Sequence, residues 1–369
     1  MKNIFLAICG FAVCFTISSC KKTDANSGIH VNAQLPAITT NAAVINGSNI
    51  SLGGNITSDG GSIVTEAGIC YSTQPGVDTS KNKMATYPIS GNFSIPVKGL
   101  GLLTTYYYKA YAINEKGITY GDEKSFLVPI PGYNSSADVA KANLVAYWAF
   151  DGGYIDSVSS TVGTPVNPSA ISFVSGQRGQ AAEIVSPGYI NSNVGNMVSG
   201  LEDVTLAFWM KHPSTVDPGG ANFTYFPFSL NAAGFSWEKT RFFMLINNPD
   251  NSTNSYGKVG LNDQWFDKGQ TWPKLLDGAW HQVIISFSGS TGLLKVYVDG
   301  TFFNSISFST QTSFGDSDSF TLGGPDTNAT TSNGWMQSLN GDLDEFKIFN
   351  KVLSDDEVAA LYTLQSHGF

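Results

Sequence analysis

Between His212 and Leu276 the chain sets Phe223, Tyr225, Phe226, Phe228, Phe235, Trp237, Tyr256, Trp265, Phe266 and Trp272 among many Asn, Asp, Gln and Gly residues. That mixture can do one kind of chemistry well. A flat aromatic ring stacks on an apolar C–H face, and Asn, Asp, Gln and Arg exchange hydrogen bonds with a hydroxyl rim, so the two together suit a sugar. Trp237, Trp265 and Trp272, with Arg241, Asn262, Asp263 and Gln264, supply both kinds of group. Trp335, in Asn333-Gly334-Trp335, is a further loop-placed indole. The competing reading is that these rings pack long loops onto a core.

Other chemistries find less material. The four histidines, His30, His212, His281 and His367, have no zinc-binding spacing. His281 follows Trp280 in a strand pattern and reads as a packed strand residue. Neither a Gly-x-Ser-x-Gly elbow nor a Walker-type loop occurs. Two carboxyls about 5–5.5 Å apart would serve a retaining glycosidase, and alternate residues of one strand share a face. The nearest candidate is Asp342-Leu343-Asp344-Glu345. No catalytic residue is assigned. The net charge of −9 argues against a nucleic-acid partner, because phosphate binding needs clustered Lys and Arg.

The N-terminus carries different information. Met1-Lys2-Asn3 is a short cationic start, and Ile4 to Ile17 is apolar. Fourteen residues of helix at ~1.5 Å each fall short of a ~30 Å hydrocarbon core, so a signal peptide is expected over residues 1–19 rather than a span. Ile17-Ser18-Ser19-Cys20 resembles a bacterial lipobox, which implies lipidation of Cys20, a membrane link through that anchor only, and a place in the cell envelope, in the outer membrane. Cys9 and Cys14 would leave with the signal. Cys70 then remains alone, in the apolar run Ala67-Gly68-Ile69-Cys70-Tyr71, and reads as a small buried filler.

The elements that must position these groups are strands. Charged residues make up only 13% and apolar residues 42%, enough to bury cores, and the 39 glycines punctuate short β-branched and aromatic runs. Residues 20–33 read as a flexible tether, and Pro129-Ile130-Pro131-Gly132 opens a linker over residues 129–139. Tyr106-Tyr107-Tyr108-Lys109-Ala110-Tyr111-Ala112 alternates two faces, as a strand does. Farther on, Val204 to Lys211 is apolar on both faces. Asp277 to Phe287 puts Val283, Ile285 and Phe287 on one face, and Asp299-Gly300 is a hairpin turn signal. Ser354 and Glu357 form a capping box before a short C-terminal helix.

Two family resemblances follow from these residues. Leu100, Thr104 and Tyr106, with Glu66 to Ser72 and Tyr120 to Glu123, resemble a fibronectin type III-like domain of the kind found in Bacteroidota surface proteins, over residues 34–128. "YWAFDG", "LAFWMK", "DGAWHQV", "KVYVDG" and "GDLDEFKIFNKVLSDDEV" resemble, in order, the laminin G-like, concanavalin A-like jelly-roll family, over residues 140–369. The implied fold is all-β: a small sandwich acting as a spacer, followed by a larger jelly-roll sandwich. The resemblance also implies a structural Ca²⁺ between the first loop and the closing strand, with Asp151, Asp156 and Asp344 as nearest carboxylates. It gives no catalytic strand, because the glucanase pattern Glu-x-Asp-x-x-Glu is missing from Asp342 to Glu345. The expected function is non-catalytic binding of polysaccharide, serving glycan capture. A protein-adhesion or structural module is the alternative, and a glycoside hydrolase the third.

Overall fold

The computed structural model describes residues 32–87, 90–192, 195–213, 224–232, 240–247, 255–262, 264–308, 314–315, 317–325 and 336–369. Two compact units emerge. One holds the described residues up to Leu100 with Thr104–Leu127, and the other holds Gly101–Leu103 with Val128–Phe369.

The first unit contains β1 (Ala37–Thr40), β2 (Val44–Asn46), β3 (Asn49–Ser58), β4 (Glu66–Ser72), β5 (Asn82–Thr86), β6 (Gly91–Val97), β7 (Thr105–Asn114), β8 (Gly117–Tyr120) and β9 (Lys124–Leu127). They form two antiparallel sheets. In one, β3 pairs with β1, β2 and β6; in the other, β4 and β7 are central. The alternation in β7 sends Tyr108, Ala110 and Ala112 into the interior with Leu52, Ile56 and Ile69. Tyr111, on the other face, is buried too, against Cys70 and Val77. Burial pushes the Cys70 thiol up to about 11, so it is a packing residue and not a nucleophile.

The second unit continues with β10 (Leu144–Trp148), β11 (Thr164–Val166), β12 (Ile171–Ser175), β13 (Gln180–Ile184), β14 (Tyr189–Ser192), β15 (Asp203–Lys211), β16 (Thr224–Ala232), β17 (Thr240–Asn247), β18 (Tyr256–Leu261), β19 (Gln264–Asp267), β20 (Trp280–Ser288), β21 (Leu293–Val298), β22 (Thr301–Ser307), β23 (Ser317–Leu322), β24 (Met336–Ser338) and β25 (Gly341–Phe349). The back sheet runs β12-β13-β25-β15-β20-β21-β22, with β10 also paired to β25. The front sheet runs β11-β14-β23-β16-β17-β18-β19, with β24 alongside β16.

Their inner faces meet in one core. Leu206, Phe208 and Met210 of β15 and Val283, Ile285 and Phe287 of β20 pack against Phe228, Leu230, Phe320 and Leu322 of the front sheet. Phe208 and Phe346 stack at 5.1 Å, 7° from parallel. Asp299 and Gly300 both adopt positive φ, 49° and 72°, in the turn between β21 and β22. That is the two-residue hairpin geometry their side chains permit.

The outer face of the back sheet carries the helix Asp355–Ser366. Its capping box forms: Ser354 Oγ accepts from the Glu357 N–H at 3.2 Å, and Glu357 Oε2 accepts from the Ser354 N–H at 2.9 Å. Val358, Leu361 and Leu364 are buried there with Ile130 and Val139. Ile130 and Val139 both belong to the segment expected as a linker over residues 129–139, and their side chains are held in the second unit's packing.

Under the helix lies a polar cluster. Between Ala207 and Trp209 the register of β15 against β25 shifts, and Glu345 takes a φ of 52°. The extra residue is a β-bulge, which re-aims a side chain. Glu345 accepts hydrogen bonds from the Tyr147 O–H at 2.6 Å, the Lys347 ammonium, the Gln365 amide and Arg178. Only an ionised carboxylate uses so many donors. Burial raises its pKa, but these partners, led by Lys347, outweigh that and hold it below the usual range. Gln365 Oε1 in turn accepts from Trp209 Nε1 and Gln282 Nε2, so the helix is fastened by polar as well as apolar contacts.

Candidate functional site: the outer face of the front sheet

The front sheet's outer face presents a cross-strand row in continuous register: Asn191, Thr321, Ser229, Phe243, Gly260 and Trp265. Cross-strand neighbours share a face, so one half of the row is polar and the other aromatic. In the polar half, Ser229 and Thr321 hydroxyls lie 2.8 Å apart, and Asn231 Nδ2 donates to Ser229 Oγ at 2.9 Å. Ser229, Asn231 and Thr321 are buried. In the aromatic half, Phe226, Phe243, Leu245 and Met336 form an apolar cluster separate from the core. Gly260 is needed here, because a Cβ would come within 2.1 Å of the Phe243 ring.

Trp265 stands at the open end of this row, on the edge strand β19. Its ring meets Phe243 edge-on, with centroids 5.2 Å apart, and 38% of the residue is exposed. Lys258 Nζ lies 5.8 Å from the indole and 2.7 Å from Asp267 Oδ2. The Asn262 N–H donates to the Arg241 carbonyl at 2.9 Å, and Gln264 pairs with Leu261 across the β18–β19 hairpin. The fold therefore brings Arg241, Asn262, Gln264 and Trp265 to one end of three adjacent strands. Gln264, opposite the core residue Leu261, is on the face turned away from Trp265. An exposed ring beside the Lys258–Asp267 pair can stack on a sugar and bond its hydroxyls.

Trp272 is a correction. It has no exposed surface. Its ring packs against Phe266 at 5.7 Å and Phe303 at 5.0 Å, on the core side. Gly257 leaves it room, since a Cβ there would sit 2.6 Å from the indole. A ring whose faces are covered has none left for a sugar. Trp237, Asp263, Trp335 and Cys20 lie outside the described residues. Phe243, Lys258, Asp267, Ser229, Asn231 and Thr321 were not singled out from sequence. The run Arg241 to Asn247 is apolar at nearly every position, so alternation could not separate its outer residues from its inner ones.

Residues 186–359 match the family model described as the concanavalin A-like lectin/glucanases superfamily. This stretch is a concanavalin A-like domain. No curated protein matches the chain. Among solved structures, domain 4 of the extracellular arabinanase AbnA from Geobacillus stearothermophilus, in complex with arabinotriose, is 21% identical with a TM-score of 0.45; the match covers 60% of this chain and 98% of that one. The binding domain of botulinum neurotoxin serotype D is 14% identical with a TM-score of 0.42, over 60% of this chain and 51% of that one. A heptameric SAP-like pentraxin from Limulus polyphemus is 15% identical with a TM-score of 0.31, over 44% and 70%. The chain thus spans about half of the neurotoxin chain it resembles.

The carboxylates expected around a calcium ion divide into two groups. Asp151 precedes the concanavalin A-like domain and Asp344 lies in its last strand, and both hold the turn between β12 and β13. Asp151 Oδ1 accepts from the Gln180 N–H at 2.7 Å, and Asp344 Oδ2 from the Arg178 N–H at 2.9 Å. Asp344 Oδ1 is buried with no hydrogen-bond partner among the described residues. Burial pushes the Asp344 carboxyl up to about 7; the Arg178 N–H opposes this, and the Glu345 and Asp151 charges add to it. Asp156 stands apart. Its carboxylate accepts from the N–H groups of Tyr147, Val158 and Ser159 and from the Ser159 hydroxyl, closing its own loop. No group of three or more His, Cys, Asp or Glu residues placed to hold a metal occurs among the described residues. The three-carboxylate set is therefore not assembled; Asp156 leaves it because its lone pairs are already used.

His281 is packed as expected, between two carboxylates. Its ring nitrogens face Asp299 Oδ2 at 2.8 Å and Asp277 Oδ1 at 3.1 Å. Burial lowers its pKa, but the two carboxylates outweigh burial and raise it.

Proposed function

We propose that this protein binds polysaccharide without cleaving it, through the outer face of the front sheet of its concanavalin A-like domain. The observation that carries the reading is Trp265: a half-exposed indole braced by Phe243, at the end of a row of polar and aromatic side chains, with the Lys258–Asp267 pair beside it and Arg241 and Asn262 at the same end of the sheet. Trp265→Ala should weaken retention in polysaccharide-containing native gels by ~1–3 kcal/mol, the scale of ring stacking on nucleic-acid bases. The melting temperature should stay near that of the wild type. Unchanged retention in every polysaccharide that retards the wild type would move the site elsewhere and favour protein adhesion.

A calcium ion belongs to this reading as a structural element. Asp151 and Asp344 would supply carboxylate oxygens, and the orphaned Asp344 Oδ1 is the feature that fits a cation. Bound to the folded state alone, the ion would neutralise a buried carboxylate and tie the β12–β13 turn to β25. Millimolar Ca²⁺ should raise the melting temperature of metal-stripped protein, and Asp344→Asn should remove most of the shift. Equal shifts in both proteins would place any cation elsewhere.

The first unit is read as a fibronectin type III-like spacer, and Cys20 as the lipid anchor that holds the chain in the cell envelope. No helix among the described residues is long and apolar enough to cross a membrane. Cys20→Ser should release the protein from the membrane fraction; a variant that still sediments with membranes would sink the anchor.

A further inference from the structure

We infer that a second sugar-binding row lies on the outer face of the back sheet. The helix Asp355–Ser366 buries Trp209 and Gln282, a cross-strand pair of that face. Two residues along, the next row is partly exposed, from half-buried Trp280 to exposed Ser172. Trp280, Lys211, Asp342, Glu183 and Ser172 stand in direct register across β20, β15, β25, β13 and β12. Four strand spacings of ~4.8 Å make this line roughly 19 Å long.

Its chemistry is graded from ring to hydroxyl. Trp280 is half-buried, with Lys211 Nζ 5.9 Å from its ring centroid. The same ammonium lies 3.4 Å from Asp342 Oδ2. Glu183 Oε2 accepts from the Ser172 hydroxyl at 2.6 Å. Asp342 is only 8% exposed, yet that one long ion pair leaves most of its acceptor capacity unused. A carboxylate so placed gains from hydroxyl donors that follow the sheet's surface. An indole at one end offers a C–H face its stacking partner, and the carboxylates beyond it accept from the hydroxyl rim. Two carboxylates against one ammonium disfavour an acidic glycan, so the ligand class is a neutral oligosaccharide. With sites on both outer faces of the sandwich, one protein would hold two polysaccharide chains, and retention in a gel would reflect both sites.

The test uses the full chain in native gels cast with mixed-linkage β-glucan, xylan or arabinan. Trp280→Ala and Trp265→Ala should each raise the apparent Kd about tenfold in the retarding gel, and the double variant should migrate as in a gel without polysaccharide. Trp280→Phe, which keeps a ring, should recover part of the loss. Glu183→Gln, at a half-exposed position, should weaken retention without lowering the melting temperature and decides the matter if Trp280→Ala fails to fold. Wild-type retention by both Trp280→Ala and Glu183→Gln overturns the second row while leaving the front-sheet site standing. Loss with Trp280→Ala but none with Trp265→Ala supports the second row and removes the first. No retardation of the wild type in any of the three gels overturns both.

Discussion

Trp272→Ala is expected to destabilise the second unit by ~3–5 kcal/mol, the usual cost of emptying a large aromatic site in a core. The indole has no exposed surface and touches Phe266 and Phe303, so its removal leaves a cavity that neighbouring β-strands cannot easily close. Against a typical domain stability of about 5–15 kcal/mol, that is a large fraction. Trp272→Phe should cost less, because it keeps a ring and discards an indole N–H that is buried with no acceptor among the described residues. Urea denaturation followed by tryptophan fluorescence would measure both. A Trp272→Ala protein as stable as the wild type would mean the ring is not part of the core, and the sugar-stacking role assigned to it from sequence would have to be reopened.

Lys347→Met should cost about 3–5 kcal/mol, since it leaves the buried Glu345 carboxylate without its closest cation. Arg178, farther off at 3.4 Å and more exposed, and the neutral donors Tyr147 and Gln365 remain, and offset only part of the lost attraction. The double variant Lys347→Met/Glu345→Gln should recover a substantial part of the loss, because neither charge is then stranded. A double-mutant cycle reads the difference as a coupling energy. Additive losses would show that the two side chains stabilise the helix contact independently. The effect should be concentrated on the helix Asp355–Ser366, whose Gln365 side chain joins the network, and amide exchange in that helix should accelerate before exchange in β15 or β20.

Much of the fold was legible in the residues. Period-two alternation in β7, the doubly apolar run that became β15, the Asp299-Gly300 turn and the Ser354/Glu357 capping box each depend on local rules, and each appears where those rules put it. The site was legible only in part. Composition drew attention to the stretch between His212 and Leu276, but Trp265 and Trp272 read alike there. They differ because Trp265 faces outward on an edge strand opposite Gly260, whereas Trp272 follows that strand and turns under Gly257.

The sequence by itself determined the strand-rich class and the kinds of side chain available, because these follow from propensity, periodicity and turn chemistry along neighbouring residues. Only the tertiary structure decided which carboxylates meet. Asp151 and Asp344 converge on one turn across nearly two hundred residues, while Asp156 closes its own loop. It also decided that Glu345 is buried, through a bulge that exists because β25 places two residues where β15 offers one. Register across strands far apart in the chain sets which side chains share a face and which lose their water, and no local pattern carries that information.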